Sequence, residues 1–508
     1  MKMNERNIVV VDLGSSKIAF TVAKIDNDNR QIIYHKVYKS KGIKYSEISN
    51  PKQVSEILKI GFDDAERELG IHITQVVVGL PKYKISVVPF SFETTRNAPG
   101  YIEQEEIDNF KYIAMDEYNI DPSKNEVIYS ALVQSFSTDD IIGISESDIV
   151  GMNSKILNGY YNFFIGKQNA LNNIETAFNI IGKTIAVQYF TPYFEAKAIL
   201  LENEKKNGVA LVDFGGGAVS LSIISEGTLR YYYSLPFAGN TITSDIESEI
   251  TYISSELAEN IKLAYGVCNP EKLFSLENKI LQINLTSSNV PIQIPIKYLS
   301  EIITERVKEI INAILYEIQK SGYADKLKNG VIITGGGANL TNIANYFKEL
   351  SGYNVKIGYP KPLFTISGCK GLYESSASTT IGLLLAASED SSINCAIPQS
   401  LDEDEDIRTS YEEEKEKEKT SEYDSTDRNK TFNENSEKDI RTSEDDSKED
   451  VVEKNDSEED QGDVFSPGED TKKKVEPTNT SSFRNKPIIK AINKIGHFAG
   501  TLFDKTIK

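Results

Sequence analysis

The chain has 508 residues, enough for more than one domain, and its 39% hydrophobic content is enough for sizeable cores, which excludes a chain disordered throughout. Its formal charge of −20 is uneven. Residues 389–482 hold about 32 acidic and about 13 basic side chains, so the acidity belongs to that stretch and says little about what the folded part binds. Cys268, Cys369 and Cys395 are too scattered for a disulfide framework or a metal-ligand cluster and read as ordinary thiols.

In chain order, residues 1–11 carry charges followed by a short apolar run at 8–11, too short for a signal peptide. No segment approaches the roughly 18 consecutive apolar residues that a membrane span requires, so any membrane contact is expected to be peripheral. From residue 7 to about 387, apolar strands such as 8–11, 76–78, 209–212 and 331–334 alternate with helical patterns and glycine punctuation, which predicts an α/β architecture. Within it, strand-like 84–92 and helix-like 103–115 fit a small α/β module spanning 84–166. From 388 to about 480 aromatics almost vanish and Asp, Glu, Ser, Thr and Lys dominate. Such a stretch cannot bury enough apolar surface to offset its ordering entropy, and a disordered acidic linker is expected.

Two segments about 200 residues apart share a pattern: Val11-Asp12-Leu13-Gly14-Ser15-Ser16-Lys17-Ile18 and Val212-Asp213-Phe214-Gly215-Gly216-Gly217-Ala218-Val219. In each, an apolar strand ends at an Asp, a glycine turn follows, and a second strand resumes. The spacing is too long for a solenoid and predicts two related lobes facing one another. At each tip, small residues let the main chain approach phosphate oxygens. Ser15, Ser16 and Lys17 add donors, and Asp12 and Asp213 together would hold a hydrated magnesium ion. One such turn alone reads equally well as a plain hairpin; the matched pair points to phosphate.

Two further motifs are weaker. Gly335-Gly336-Gly337-Ala338 follows the strand 331–334 and precedes helix-like 340–350, where bare backbone near a helix N-terminus suits a base or sugar; a tight turn with positive φ is the alternative. Glu259 and Lys262 lie three apart on helix-like 256–265 and could reach a ribose hydroxyl and an adenine edge. From spacing alone, a surface ion pair worth a few tenths of a kcal/mol is the stronger reading.

Residues 486–508 place Ile488, Ile492, Ile495, Phe498 and Leu502 on one helical face, with Lys490, Lys494, Lys505 and Lys508 opposite. A basic amphipathic helix beyond a long linker suits an anionic membrane surface. About six apolar side chains at roughly 1 kcal/mol each, with up to about 1 kcal/mol per lysine, would outweigh ordering the helix by a modest margin. Gly496 and Gly500 reduce that margin by about 1 kcal/mol each.

The order Asp12-x-Gly-x-x-Lys17, Asp213-x-Gly-Gly-Gly217, Glu259-x-x-Lys262 and Gly335-Gly-Gly-Ala338 resembles that of the actin, sugar kinase and DnaK-type chaperone superfamily. Within it, the run Pro236-Phe237-Ala238-Gly239-Asn240-Thr241, Thr334-Gly335-Gly336-Gly337-Ala338-Asn339 and the closing Ser378-Thr379-Thr380-Ile381-Gly382 are similar to the FtsA family. The resemblance implies an actin-like two-lobed fold: subdomain IA at 1–83, 167–192 and 368–387, an IC insertion at 84–166, IIA at 193–240 and 301–367, and IIB at 241–300. The linker would then be 388–485 and the amphipathic helix 486–508. It also implies ATP and magnesium as cofactors, with Asp12, Gly14, Ser15, Ser16, Lys17, Asp213, Gly215, Gly216 and Gly217 at the phosphates and Gly239, Glu259, Lys262 and 335–338 at the adenosine.

By the same resemblance, the partners are further copies of the chain, the FtsZ tail through IIB, other division proteins through IC and an anionic membrane, with no nucleic acid. The place is the cytoplasmic face of the cell inner membrane at the division septum. Two departures stand out. The run 188–195 is bulkier than the family's small-residue stretch, so no water-activating residue is assigned and ATPase activity is expected to be slow at most. Asn342 stands where glycine is frequent. The alternatives are a small-molecule kinase or phosphatase of the superfamily, which would need a substrate pocket and a positioned base, and a PilM-like pilus assembly protein; neither explains the tail.

Overall fold

The structure is a computed structural model that describes residues 5–26, 29–272, 278–283 and 291–398. The expected linker lies outside the described residues beyond 398, and the expected helix at 486–508 lies wholly outside them.

The first lobe is built on a six-stranded sheet whose spatial order is Thr184–Tyr189, Gln75–Gly79, Arg6–Leu13, Lys17–Asp26, Asn29–Lys39 and Thr365–Ile366. Arg6–Leu13 turns back antiparallel onto Lys17–Asp26 and runs parallel to Gln75–Gly79 on its other side. The second lobe repeats that plan. Val209–Phe214 is antiparallel to Val219–Ser225 and parallel to Val331–Thr334, within a five-stranded sheet edged by Thr228–Leu235 and Val355–Ile357. The near-continuous apolar runs of both central strands follow from this position, because both of their faces are covered.

Helices complete each lobe. Pro51–Leu69, capped by the Asn50 side chain, buries Val54, Leu58, Phe62 and Ala65 on the first sheet. Ile296–Lys320 buries Ile303, Val307, Ile310, Ile311, Ile314 and Ile318 at three- and four-residue intervals against the second. The helix Ser378–Glu389, almost wholly buried, packs on Thr191–Ile199.

Residues 84–166 build a separate four-stranded antiparallel sheet, in the order Ile142–Ile144, Glu126–Ser137, Asn153–Lys167 and Ser86–Tyr101. Its first strand runs past the expected 92 to residue 101, and the helix Gln104–Glu117 seals one face with Ile107, Phe110 and Ala114. The inserted sheet also touches the second lobe. Arg230 on the edge strand Thr228–Leu235 donates to the carbonyl of Gln134 at 3.0 Å and accepts on its own carbonyl from Asn162 at 3.2 Å. Phe164, Phe190 and Tyr232, one each from the insertion, the residue before helix Thr191–Ile199 and the edge strand, form a buried aromatic cluster with centroid spacings of 4.6 and 5.4 Å.

The linker does not begin at 388. Ile393, Cys395 and Ala396 are buried, the short strand Ala396–Pro398 pairs with Ile71–Ile73, and the Arg6 guanidinium donates to the carbonyls of Ser388 and Ile393. These few apolar residues, at the edge of a long acidic stretch, find a place on the first lobe that composition alone does not reveal. Burial pushes the thiols of Cys268 and Cys395 up, to about 12 and about 11 respectively, as for inert buried cysteines.

In the first sheet, His35 faces Thr21, whose hydroxyl lies 2.8 Å from Nδ1. Burial, reinforced by the charge of Lys17, lowers its pKa from the ordinary 6.5 to about 4, so the ring is neutral in the folded chain at pH 7. A group whose folded pKa is depressed in this way costs no stability above the unfolded value. It costs up to about 1.4 kcal/mol per pH unit as the pH falls from about 6.5 towards 4, because the unfolded chain takes up the proton first. Urea unfolding at pH 7 and pH 5 is therefore expected to show an acid-side loss that His35→Gln removes in part; an equal loss in the variant would mean that the ring carries none of it.

Candidate functional site

The two Asp-bearing hairpins close in the same way. Gly14 N–H donates to Lys17 O at 3.0 Å and Gly215 N–H to Ala218 O at 3.1 Å, while Asp12 pairs with Ala19 and Asp213 with Ser220 at the ends of their strands. The tips meet at a cleft of about 1110 Å³. There, a Cβ on Gly216 would lie 1.9 Å from Ser16 Oγ and one on Gly217 2.3 Å from Ser15 Oγ, so no side chain fits at either position. The second tip is pinned in turn by the helix Gly239–Glu249, whose first two amides donate to the carbonyls of Gly215 and Gly216. Ser16 Oγ donates to Asn240 Oδ1 at 2.9 Å, which joins the first tip to the same helix end.

Asp12, Gly14, Ser15, Ser16, Lys17, Asp213, Gly215, Gly216, Gly217, Gly239, Glu259, Lys262, Gly335, Gly336 and Gly337 all line this cleft. Ala338 does not: it is buried in the core of the second lobe. The glycine cluster is shaped by packing. A Cβ on Gly335, which has φ +84°, would strike Asp213 Oδ1 at 2.3 Å, and one on Gly337 would strike the Phe214 ring at 2.1 Å, whereas Gly336 faces open space. The following helix starts at Ile343, three residues later than expected, because Asn342 takes a left-handed φ of +68°. Asn is among the few residues that tolerate this region, which explains its presence where the family favours glycine.

Glu259 and Lys262 share a face of the helix Ser255–Tyr265, and the surface reading of the pair fails. Lys262 is 6% exposed, and its ammonium donates to Gly239 O and Thr243 Oγ1 at 2.8 Å and to Glu259 Oε2 at 2.6 Å. Burial pulls its pKa down and Glu259 opposes the shift. With three protons given to three protein oxygens, Lys262 fixes the cleft wall rather than offering a free donor.

Sequence reasoning missed the cluster at the cleft floor. Lys82, three residues beyond the strand Gln75–Gly79, places its ammonium 2.5 Å from Glu195 Oε1, 2.9 Å from Asp213 Oδ2 and 2.8 Å from Thr379 Oγ1. Thr379 also donates to Glu195, and Thr380 donates to Asp12 at 3.0 Å. Burial works against the Lys82 ammonium, but the carboxylates of Asp213, Glu195 and Asp12 more than offset it and hold the group protonated. Burial raises the carboxyls of Asp12 and Glu195 in spite of Lys82. The only sequence signal was the unusual bulk of 188–195, and it does not point to a partner in another segment.

This cluster bears on magnesium. Asp213 Oδ2 is held by the Lys82 ammonium, which also lies close enough to Asp12 to pull on its titration. Among the described residues, no three His, Cys, Asp or Glu side chains gather as a metal-holding group. A hydrated magnesium ion needs few direct carboxylates, so Asp12 and Asp213 at this cleft would suffice to hold one through water.

The glycine geometry separates two neighbouring substitutions. Gly337→Ala, pressed on the Phe214 ring, is expected to cost about 1–3 kcal/mol in urea unfolding. Gly336→Ala is expected to stay within about 0.5 kcal/mol. Equal losses would show that the turn is not packed in this way.

A model of the family described as Cell division protein FtsA matches residues 210–382. The cell division protein FtsA of Neisseria meningitidis serogroup B is 27% identical over 391 residues, covering 76% of this chain and 91% of that protein. That of Enterococcus hirae is 28% identical over 364 residues, covering 70% and 80%. Among solved structures, a chain of the PilM-PilN type IV pilus biogenesis complex superposes with a TM-score of 0.52 at 13% identity, covering 75% of this chain and 98% of that one; a likeness at that identity concerns the fold alone. Among the described residues no helix is long and apolar enough to cross a membrane. Over about three quarters of its length this chain is thus similar in sequence to cell division proteins FtsA.

Proposed function

We propose that the cleft binds ATP and that the chain works as an FtsA-type division protein, self-associating in an actin-like manner and tethering FtsZ filaments to the cytoplasmic membrane at the division septum. The observation that carries the nucleotide reading is the meeting of two identically closed Asp-bearing tips, with no room for side chains between them, beside a third glycine turn on one cleft. Backbone amides at such tips suit phosphate oxygens, and the open face of Gly336, on the cleft that Glu259 also lines, suits a sugar or base.

In this reading ATP favours the closed arrangement of the lobes because it touches both, and a ligand shifts an equilibrium only by binding one state better. Closed subunits associate, the segment 241–300 takes the FtsZ tail, the inserted sheet meets further division proteins, and Ile488, Ile492, Ile495, Phe498 and Leu502 enter the bilayer interface. Many such helices side by side on a filament would hold far more firmly than one. The sequence relatives favour this reading over pilus assembly, for which the likeness is one of fold.

ATP is expected to raise the melting temperature of the full chain, a saturable stabilisation of about 2.7 kcal/mol at a hundredfold excess over Kd. Lys17→Ala, which removes an ammonium from the first tip, should weaken ATP about tenfold or more. A chain whose melting is indifferent to ATP would remove the nucleotide reading. For the anchor, liposomes containing anionic lipid should sediment the full chain but leave a truncation after Pro487 in solution, and an FtsZ tail peptide should bind both forms. Equal sedimentation would discard the anchor, and no peptide binding would discard the tether.

A further inference from the structure

We propose that the Asn339 side chain selects the base of the bound nucleotide: its carboxamide turns an oxygen into the cleft, where it accepts a hydrogen bond from the exocyclic amino group of adenine and disfavours guanine. The inference rests on the nucleotide reading of the cleft.

The cleft beside the third glycine turn lies between two stretches of chain. One is the short helical turn Gly336–Asn339 with Leu340 after it, and the other is the end of the helix Ser255–Tyr265, with Leu263 and the following Gly266. The two are tied together: Thr341 N–H donates to Gly266 O at 3.3 Å, and a Cβ on Gly266 would lie 2.8 Å from Leu340 Cδ2. Leu263, which lines the cleft, is 72% exposed and offers apolar surface to a ring. Asn339 ends the turn and is exposed on the same cleft.

The carboxamide is held at one end. Ser375 is fully buried, and its Oγ lies 3.0 Å from Gly335 O and 3.0 Å from Asn339 Oδ1. A hydroxyl has one proton, so it cannot serve both oxygens. The two ends of a carboxamide are told apart by the hydrogen bonds around them, and a half-turn of the amide brings Nδ2 to this point. Asn339 then donates to Ser375 Oγ, Ser375 donates to Gly335 O, and both contacts become hydrogen bonds. Oδ1 is left facing the cleft as a fixed acceptor, because Ser375 is itself anchored: its carbonyl accepts from Gly335 N–H at 3.1 Å and from Ser378 Oγ at 2.8 Å. Adenine carries an exocyclic amino group where guanine carries a carbonyl oxygen, so the same acceptor bonds one base and meets an oxygen of the other. A site built to hydrogen-bond one group rejects the analogue that lacks it, since its own polar atom is then left unpaired.

The test is calorimetric titration of the full chain, with magnesium present, by ATP, GTP and purine riboside triphosphate, which lacks the amino group. The native chain is expected to bind ATP about tenfold or more tightly than either of the others. Asn339→Leu, which keeps the shape and removes the acceptor, is expected to weaken ATP about tenfold and to leave purine riboside triphosphate within about threefold, so that the preference is lost. Asn339→Asp, which has an oxygen on both branches, is expected to keep the preference for ATP over GTP. Thermal melting establishes that both variants are folded. A native chain that binds ATP and GTP alike overturns the proposal and leaves the nucleotide reading standing, as does an Asn339→Leu variant that keeps the preference for ATP. An Asn339→Asp variant that loses the preference or turns it towards GTP also overturns it, because the amide nitrogen would then have faced the base. A native chain that binds none of the three removes both readings.

Discussion

The closeness of two hairpin tips governs the centre of this molecule. Each tip turns on an amide-to-carbonyl bond between residues three apart, and the two approach until the space of a single methyl group at Gly216 or Gly217 is already taken by a serine of the other tip. Such an approach requires that the strands behind each tip be held to a fraction of an ångström. Covering both faces of each central strand supplies that rigidity, since interiors packed at crystal-like density yield little. The duplicated plan of the lobes therefore has a mechanical meaning: two stiff sheets aim two bare backbone turns at one point.

Around that point the charges satisfy one another. Asp213 and Glu195 hold one ammonium, Asp12 acts on it by charge, and the hydroxyls of Thr379 and Thr380 donate to Glu195 and Asp12. Buried ions are costly to desolvate, and removing one partner of such a set typically costs about 3–5 kcal/mol because the other is left uncompensated. The cluster draws on four distant stretches of chain, so it also ties the loop after Gln75–Gly79, the helix Thr191–Ile199, the strand Val209–Phe214 and the closing helix Ser378–Glu389 into one unit. The carboxyl chemistry of Glu195 is confined by the same contacts: both Lys82 and Thr379 hold its Oε1.

What could be read from the residues was whatever repeats or alternates locally. The two Asp-glycine tips, the central strands and the separate inserted module all carry a period or a spacing, and the structure returns them with shifts of a few residues. The exceptions have local causes: Asn342 in a left-handed conformation delays a helix, and three apolar residues before 398 recruit the start of the acidic stretch onto the first lobe. Among the site residues, those on turns were legible because turn chemistry is local, whereas Lys82, Glu195 and Thr379 were not. An isolated lysine, glutamate or threonine has no pattern of its own, and their meeting is decided by the packing of segments 113 and 184 positions apart. Lys262 shows the converse. Its spacing to Glu259 suggested an exposed pair, and only the fold shows the ammonium buried against Gly239.

The contacts of the inserted sheet with the edge strand Thr228–Leu235 constrain how the two lobes can move. The insertion is joined covalently to the first lobe at both ends, and it grips the second through Arg230, Asn162 and the ring cluster of Phe164, Phe190 and Tyr232. Sliding one lobe past the other would have to tear that aromatic cluster and break partly buried hydrogen bonds. Parting the Lys39–Glu256 bridge, by contrast, gives up an exposed ion pair of the kind worth about 0–1 kcal/mol. The insertion thus acts as a strut between the lobes, and opening of the cleft has to strain its contacts with that edge strand.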